Sequence, residues 1–295
     1  MYKPKGVIAA LATPMNADES INYEELANQV RRMIESGIHG VLSLGTCGEF
    51  YALTFDEKTA VMRTVWEAAD KRVPVLAGVG CVTTAETVQL AECAQSCGAD
   101  ALSVITPYFA RVSQDMLVEH YKAVASSVDL PVILYNIPAR TGNSISPKTL
   151  EKLAGIKNIA GIKDSSGDFD NTLQYLEVTG RDFPVLSGTD SLVLATLTAG
   201  GAGAIAGGAN IFPGKLASIY DLFIAGDISE ATKIQDGMRE ICRCIGLGNP
   251  NSIVKRAACL LGHDLGPTRR PFNVDSSEYD NVILEAFERY YRNWD

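Results

Sequence analysis

Residues 132–164, with the sequence VILYNIPARTGNSISPKTLEKLAGIKNIAGIKD, contain one complete strand–helix–strand unit. The apolar run Val132–Tyr135 is followed by a polar turn and then by Ser146-Pro147, which predicts an N-cap with proline at the first helical position. A second apolar run, Ile159–Lys163, follows the helix. Near-continuous runs of this length are typical of parallel strands that are covered on both faces. The stretch therefore predicts a parallel β/α arrangement.

The same unit recurs along the chain, and the number of repeats decides between two α/β folds. Eight units in roughly 225 residues fit a closed barrel better than an open doubly wound sheet, which usually has fewer strands. We therefore predict an α/β protein with a (β/α)8 TIM barrel. The apolar runs are Val7–Thr13, Gly40–Leu44, Val75–Val79, Ala101–Thr106, Val132–Tyr135, Ile159–Lys163, Val185–Ser187 and Gly203–Ala206.

The helices between the runs have visible starts, and the end of the chain has a different pattern. Asn22 with Glu25, Thr54 with Glu57 and Thr83 with Glu86 each resemble a capping box. From residue 228 onward no strand-like run occurs, and apolar residues at helical spacing predict helices that pack on the barrel or on a neighbouring subunit. We predict a catalytic barrel over residues 1–227 and a C-terminal helical extension over residues 228–295.

The composition limits the classes of function. The chain has 295 residues, of which 46% are hydrophobic and 21% are charged, and its formal net charge is -9. This charge argues against general nucleic-acid binding, which requires a basic surface. The first apolar run, Val7–Ala12, is too short for a signal peptide or a membrane span, and no later run is long enough. We therefore expect a cytoplasmic protein with neither nucleic acid nor membrane as a partner.

Neither the cysteines nor the histidines form a metal-binding motif. The seven cysteines are scattered and contain no C-x-x-C pair, so they are interpreted as small buried hydrophobic residues in a reducing compartment. His39, His120 and His263 are far apart and match no metal motif. The sequence therefore predicts no disulfide framework, no metal site and no bound cofactor.

Lys163 is the most informative residue, because it closes an otherwise apolar strand at the end where barrel enzymes place their active sites. Desolvation there disfavours an ammonium group and favours the neutral amine that attacks a ketone. The structural alternative is a lysine paired with Asp164 or Asp168 at the barrel rim. Tyr135 closes the preceding strand, so its phenol should lie beside the amine and transfer protons. The structural alternative for Tyr135 is an aromatic side chain that packs at the barrel mouth and whose hydroxyl bonds a neighbouring group.

Two glycine-bearing segments are weaker signals. Gly45-Thr46-Cys47-Gly48 follows the second strand, and its amides with the Thr46 hydroxyl suit a carboxylate, although such turns are common. Gly201-Ala202-Gly203 lacks the full G-x-G-x-x-G spacing of a dinucleotide loop. Close backbone packing is the better interpretation of those glycines.

Taken together, these strand ends resemble the dihydrodipicolinate synthase/N-acetylneuraminate lyase family of pyruvate-dependent class I aldolases. The resemblance covers nearly the whole chain, and it implies that Lys163 is the Schiff-base lysine and that Tyr135 is the general acid/base. It further implies a homotetramer built as a dimer of dimers and a pocket for pyruvate. The implied carboxylate holders are Thr46 and the amide of Cys47, and the implied pocket lining includes Gly188 and Ile205. The motifs that carry the resemblance are Gly45-Thr46-Cys47-Gly48-Glu49, Tyr135-Asn136-Ile137-Pro138 and Gly161-Ile162-Lys163-Asp164.

Two positions depart from members that make dihydrodipicolinate, and a third agrees with them. Those members have a paired-threonine turn, where this chain has Cys47, and a second tyrosine after the fourth strand, where it has Phe109 beside Tyr108. That tyrosine reaches across a dimer and completes a proton relay, so phenylalanine would break the relay. Arg140 does match, and its guanidinium could grip a distal carboxylate.

Weighing the broken relay above the retained arginine, we expect reversible cleavage of a 2-keto-3-deoxy sugar acid or a 4-hydroxy-2-oxo acid to pyruvate and an aldehyde. The sequence Gly161–Asp168 looks closer to members that act on such acids. Three alternatives stay open: 4-hydroxy-tetrahydrodipicolinate synthesis from pyruvate and aspartate semialdehyde, keto-acid dehydration or deamination, and a non-catalytic keto-acid sensor. None of the catalytic readings requires a metal or an organic cofactor, because the iminium serves as the electrophile.

Overall fold

The computed structural model describes residues 2–290 and contains eight parallel strands that close into one barrel in the order β1 to β8. The barrel confirms the predicted fold class, and each strand agrees with its predicted run to within a few residues at the ends. The strands are β1 Gly6–Ala10, β2 Gly40–Ser43, β3 Val75–Gly78, β4 Ala101–Ile105, β5 Val132–Asn136, β6 Ile159–Asp164, β7 Val185–Ser187 and β8 Gly203–Ala206.

Twelve α-helices follow and connect these strands within the described residues. Among residues 2–290, none of the helices combines the length and apolar composition needed to cross a membrane. The helices are α1 Tyr23–Glu35, α2 Phe55–Ala69, α3 Thr84–Ser96, α4 Gln114–Ser127, α5 Pro138–Thr141, α6 Pro147–Ala154, α7 Phe169–Thr179, α8 Val193–Thr198, α9 Pro213–Ala225, α10 Ile228–Ile245, α11 Pro250–Leu260 and α12 Asp280–Tyr290.

The predicted helix starts are confirmed, although they are not all full capping boxes. Thr54 and Glu57 form the reciprocal pair of bonds, with the Thr54 side chain accepting from the Glu57 N–H and the Glu57 side chain accepting from the Thr54 N–H. The side chains of Asn22, Thr83 and Ser146 each accept a backbone N–H three residues on, which satisfies one free donor of the first turn.

The barrel has an interior layer of side chains that is separate from the layer between strands and helices. Successive side chains of a strand point to opposite faces, so Ile133 and Tyr135 of β5 both point inward. The interior layer is fully buried or nearly so and fills the barrel below its C-terminal mouth. It consists of Ile8, Ala10, Leu42, Leu76, Ala101, Ile133, Leu186 and Ile205.

The C-terminal segment is helical, and no strand occurs between residue 228 and residue 290. α10 packs against α9 and α12, and α11 contacts α10 and α12. Arg256 of α11 and Asp280 of α12 form an ion pair between these helices. The division of the chain at residue 228 stays a prediction, and the contacts of α10 and α11 with the barrel mouth are described next.

Candidate active site

A cavity of about 300 Å³ opens at the C-terminal ends of the strands, where the sequence places the chemistry. It lies between the strand ends on one side and α10 and α11 on the other. Six of the seven predicted site residues line it together, which are Thr46, Cys47, Tyr135, Arg140, Lys163 and Gly188.

Lys163 and Tyr135 meet inside this cavity. They are directly paired in the register of β5 and β6, so their side chains leave the sheet on the same inward face. The Lys163 Nζ atom lies 4.2 Å from the centre of the Tyr135 ring, and both residues are only 5% exposed. The phenol oxygen of Tyr135 is in turn 3.3 Å from the Thr46 hydroxyl. The Lys163 amine thus lies over the face of the Tyr135 ring, and the phenol oxygen contacts the Thr46 hydroxyl.

The alternative interpretation of Lys163 as a rim lysine paired with an aspartate does not describe this structure. In residues 2–290, no ion pair joins Lys163 to Asp164 or Asp168. The Asp164 carboxylate instead accepts from Asn136, Asn171, Thr172 and Ser166. Because Asp164 follows Lys163 in the strand, it points to the opposite face and leaves the amine to the cavity.

The bond between Asn136 and Asp164 fixes the two strand ends that carry the amine and the phenol. Asn136 Nδ2 donates to Asp164 Oδ1 over 3.0 Å, and Asn136 Oδ1 accepts from the Ile145 N–H. Both side chains are buried, and they lie on the outer face of the residue pair next to Tyr135 and Lys163. This bond on the outer face of the sheet therefore fixes the position of the Lys163 amine relative to the Tyr135 phenol.

The turn after β2 brings Thr46 and Cys47 to the same cavity. Glu49 adopts a left-handed conformation with φ 54°, and Gly48 packs so closely that an added Cβ would lie 3.1 Å from the Leu11 carbonyl oxygen. Thr46 and Cys47 are half-buried. Burial raises the pKa of the Cys47 thiol, while the nearby Lys163 ammonium opposes this shift. Cys47 is therefore a neutral thiol and suits a lining role better than a nucleophilic one.

Gly188 is a close-approach position. A Cβ added there would lie 2.7 Å from Lys163 Cε and 1.9 Å from Ser165 Oγ. The missing side chain leaves room for the lysine arm and for a small ligand beside it.

Ile205 and Phe109 are placed differently from the other predicted residues. Ile205 is fully buried in the interior layer and belongs to the floor of the barrel below the cavity. Phe109 is 97% exposed, has φ 78° and does not line the cavity. Its neighbour Tyr108 is half-buried and packs edge-to-face on Phe50, and burial raises its pKa to about 12.

Sequence reasoning missed several residues of the cavity wall. Asp190 lies in it and accepts from the Gly208 N–H over 2.5 Å, and burial raises the pKa of this carboxyl, opposed by that bond and by Lys163. The sequence Gly188-Thr189-Asp190, just beyond a strand end, was a signal that could have identified it. Cys242 of α10 and Asn251 of α11 also line the cavity, but no motif marks them.

The chain offers no arrangement typical of a metal centre in its described part. Among residues 2–290, no three His, Cys, Asp or Glu side chains cluster in a way that could hold a metal ion. The cysteine thiols among these residues are all free. The groups gathered in the cavity are suited to binding a small carboxylate-bearing carbonyl compound, since they combine an amine, proton donors and a guanidinium.

The chain is similar to proteins of one family along almost its whole length. The model of the dihydrodipicolinate synthetase family matches residues 3–288. A 4-hydroxy-tetrahydrodipicolinate synthase of Methanoculleus marisnigri is 36% identical over 97% of both chains. An uncharacterized DapA-like lyase of Halobacterium salinarum is 38% identical, covering 95% of this chain and 92% of that protein. The crystal structure of dihydrodipicolinate synthase from Acinetobacter baumannii complexed with pyruvate has a TM-score of 0.93 at 32% identity, over 96% of this chain and 98% of that one.

Proposed function

Since this chain belongs to the dihydrodipicolinate synthetase family, we propose that it is a pyruvate-dependent aldolase in which Lys163 forms the Schiff base. The observation that carries the proposal is the buried Lys163 amine, 4.2 Å from the Tyr135 ring in a cavity at the barrel mouth. A lysine amine is the nucleophile that this chemistry needs, and the Lys163 side chain lines the cavity where a keto acid would bind.

The first half of the reaction activates the keto acid. The Lys163 amine adds to the 2-keto carbon of pyruvate, and loss of water gives an iminium. The iminium withdraws electrons from C3, so a C3 proton is lost and a nucleophilic enamine forms. The Tyr135 phenol, linked to the Thr46 hydroxyl over 3.3 Å, is placed to carry protons in these steps.

The carboxylate of the keto acid is assigned to the turn after β2. The Thr46 hydroxyl and the Cys47 amide are the donors, and Gly188 leaves the space beside Lys163 that the small ligand requires. Ile205 contributes to the floor rather than to the wall, because it is buried in the interior layer.

The second half of the reaction joins the enamine to an aldehyde, and we propose aspartate semialdehyde as that aldehyde. The relative from Methanoculleus marisnigri is named for 4-hydroxy-tetrahydrodipicolinate synthesis, and this supports condensation over the sugar-acid cleavage expected from the sequence. Arg140 supports the same choice, since its exposed guanidinium at the cavity edge suits the distal carboxylate of this substrate. The C–C bond forms between C3 of the enamine and the aldehyde carbon, and the former aldehyde oxygen takes up a proton. Attack of the semialdehyde's amino group on the iminium then closes the ring and releases the Lys163 amine.

A second candidate is favoured by one observation. Phe109 stands where synthesising members resemble each other in having a tyrosine, so that proton relay lacks its hydroxyl in this chain. Cleavage of a 2-keto-3-deoxy or 4-hydroxy-2-oxo acid needs Lys163 and Tyr135 but not that relay. In that direction Tyr135 removes the proton of the 4-hydroxyl, and the C3–C4 bond breaks into the iminium.

The assembly that we propose is a homotetramer, as the resemblance implies. The loop that carries Phe109 supports a subunit contact, because a phenylalanine that is 97% exposed in a left-handed conformation presents apolar surface to solvent. Light scattering of the purified protein measures the mass directly, and a monomer would contradict this part of the proposal.

Borohydride trapping tests the central claim. Wild-type protein is reduced in the presence of pyruvate, digested and analysed by mass spectrometry, with Lys163→Ala as the control. A reduced pyruvyl adduct on Lys163 is expected. A folded protein without an adduct would contradict the Schiff-base mechanism and favour the non-catalytic keto-acid sensor. Product analysis with aspartate semialdehyde and with sugar acids then separates condensation, cleavage and dehydration or deamination.

A further inference from the structure

Helix α11 presents two buried polar side chains to the turn that carries Thr46 and Cys47. Asn251 and Lys255 are four residues apart, so they lie on the same face of the helix. They are 6% and 3% exposed, respectively. Buried polar groups of this kind require partners, and both find them in the segment after β2.

Asn251 contacts the backbone of the turn at its first functional residue. Its Nδ2 atom donates to the Thr46 carbonyl oxygen over 2.9 Å and to the Tyr51 hydroxyl over 3.1 Å. The Thr46 carbonyl also accepts from the Glu49 N–H at 3.2 Å. Two donors, Asn251 of α11 and the Glu49 N–H of the turn itself, therefore fix the direction of this carbonyl group.

The orientation of that carbonyl determines the orientation of the Cys47 amide. Thr46 C=O and Cys47 N–H belong to one peptide group, which is planar and trans, so the two bonds point in opposite directions. In the described part of the chain, no backbone carbonyl accepts from the Cys47 N–H. The bond from Asn251 thus points the Cys47 N–H away from α11, on the residue whose side chain lines the cavity.

Lys255 contacts the other end of the same turn. Its Nζ lies 2.7 Å from Glu49 Oε1, and the two side chains are 2% and 0% exposed. Glu49 Oε2 accepts from the Arg269 N–H over 2.9 Å, and Lys255 also donates to the Pro267 carbonyl over 2.8 Å. The buried carboxylate of Glu49, a residue in the left-handed backbone conformation, is thereby held by two groups of the C-terminal segment, the Lys255 side chain and the Arg269 N–H.

We propose that Asn251 and Lys255 are positioning residues that hold the turn Gly45–Glu49 so that the Cys47 amide and the Thr46 hydroxyl bind the carboxylate of the keto acid. The proposal rests on the proposed function and adds that the C-terminal segment sets selectivity for a 2-keto carboxylate. It distinguishes these residues, which act through the turn, from Lys163, which acts on the keto carbon itself.

The test compares two ketones that differ only in the group the turn binds. Pyruvate has a carboxylate, while pyruvamide is a neutral compound of nearly the same shape. The efficiency of borohydride trapping on Lys163 is measured for both with wild type, Asn251→Ala and Asn251→Asp. We expect the preference for pyruvate over pyruvamide to fall about tenfold in both variants, through a higher half-saturating pyruvate concentration, because one hydrogen bond to the turn is lost.

Ser252→Ala is the matched control. Ser252 is the next residue of α11 and is also 6% exposed, but its hydroxyl contacts Thr268 and the Phe272 carbonyl instead of the turn. A general loosening of α11 lowers trapping of both ketones equally and leaves their ratio unchanged. Lys255→Met leaves Glu49 without its cation, and its trapping ratio for the two ketones is measured as a second variant. The Asn251 variants retain the ion pair between Lys255 and Glu49.

The outcomes separate this inference from the proposed function. A wild-type adduct with an unchanged ketone ratio in both Asn251 variants overturns the positioning role and leaves the aldolase proposal intact. The same shift in Ser252→Ala overturns it as well. Absence of any wild-type adduct overturns both.

Discussion

The Lys163 side-chain nitrogen lies over the ring of Tyr135, 4.2 Å from its centre. The contact follows from the register of the barrel, in which these two residues are directly opposite in β5 and β6. Behind them, Asn136 and Asp164 are the next pair and are joined by a hydrogen bond. The Tyr135–Lys163 pair thus faces the cavity, and the adjacent Asn136–Asp164 pair connects the ends of β5 and β6. The register of the sheet therefore determines the geometry of the site.

Replacing Tyr135 with phenylalanine removes the phenol hydroxyl and keeps the ring. We expect turnover to fall about 10²- to 10⁴-fold, since proton transfer by a positioned side chain contributes that much. The Lys163 adduct with pyruvate should still form, but more slowly. Steady-state kinetics and timed trapping measure both effects. Tyr121→Phe is the control, because its buried hydroxyl donates to the Val104 carbonyl, far from the cavity. Unchanged turnover in Tyr135→Phe would remove the acid/base role.

Gly188→Ala tests the space beside the lysine. The added methyl group would lie 2.7 Å from Lys163 Cε, so the lysine arm must move. We expect the trapping rate to fall by about 100-fold or more, because small displacements of reacting groups have effects of that size. Gly155→Ala is the control, since its nearest neighbour would be 3.5 Å away at the end of α6. Equal trapping rates in the two variants would contradict the assignment.

The parts of the site that were predictable from sequence are those that follow from strand ends. Lys163 and Tyr135 close apolar runs and Thr46 follows one, and parallel strands bring these ends to one edge. Asn251 was not predictable, because it lies in α11 and reaches the turn across 205 residues of sequence. Ile205 was predicted to line the pocket, but its side chain lies in the interior layer below the cavity. Successive side chains of a strand point to opposite faces, and the sequence of a short strand does not show which residue reaches the cavity.

Arg140→Gln tests the proposed contact with the second substrate. The guanidinium is at the cavity edge, so its loss should raise KM for aspartate semialdehyde and lower kcat/KM roughly tenfold to hundredfold. Trapping with pyruvate alone should change little, because that carboxylate is assigned to the turn after β2. A variant that loses pyruvate trapping and retains its KM for the aldehyde would reverse the two assignments.

Phe109→Tyr restores the hydroxyl that the relay lacks. If condensation with aspartate semialdehyde is the reaction of this chain, we expect kcat for condensation to rise about tenfold and cleavage of sugar acids to stay unchanged. A coupled assay for the first reaction and pyruvate release for the second measure the two rates. Tyr108→Phe is the control for the neighbouring position, where the side chain packs on Phe50. A Phe109→Tyr variant that gains neither activity would show that this position does not limit proton transfer.

His120 predicts how stability changes in acid. Its ring is 5% exposed, Nδ1 contacts the Thr84 hydroxyl, and burial lowers its pKa from 6.5 to about 4. Above pH 6.5 the residue is neutral in both the folded and the unfolded chain and has no effect on the pH dependence. As the pH falls from 6.5 to 4, the unfolded chain binds the proton first, so the free energy of unfolding decreases by about 3 kcal/mol. Below pH 4 the folded chain is protonated too, and the loss is complete.

His120→Leu removes this titrating group and should flatten the decline between pH 6.5 and pH 4. Denaturant unfolding at a series of pH values measures the difference between wild type and variant. His263→Gln is the control, for which we expect a smaller change: burial also lowers the pKa of His263, but this side chain is half-buried, whereas His120 is only 5% exposed. If wild type and His120→Leu lose stability in parallel over this range, then protonation of His120 is not coupled to unfolding.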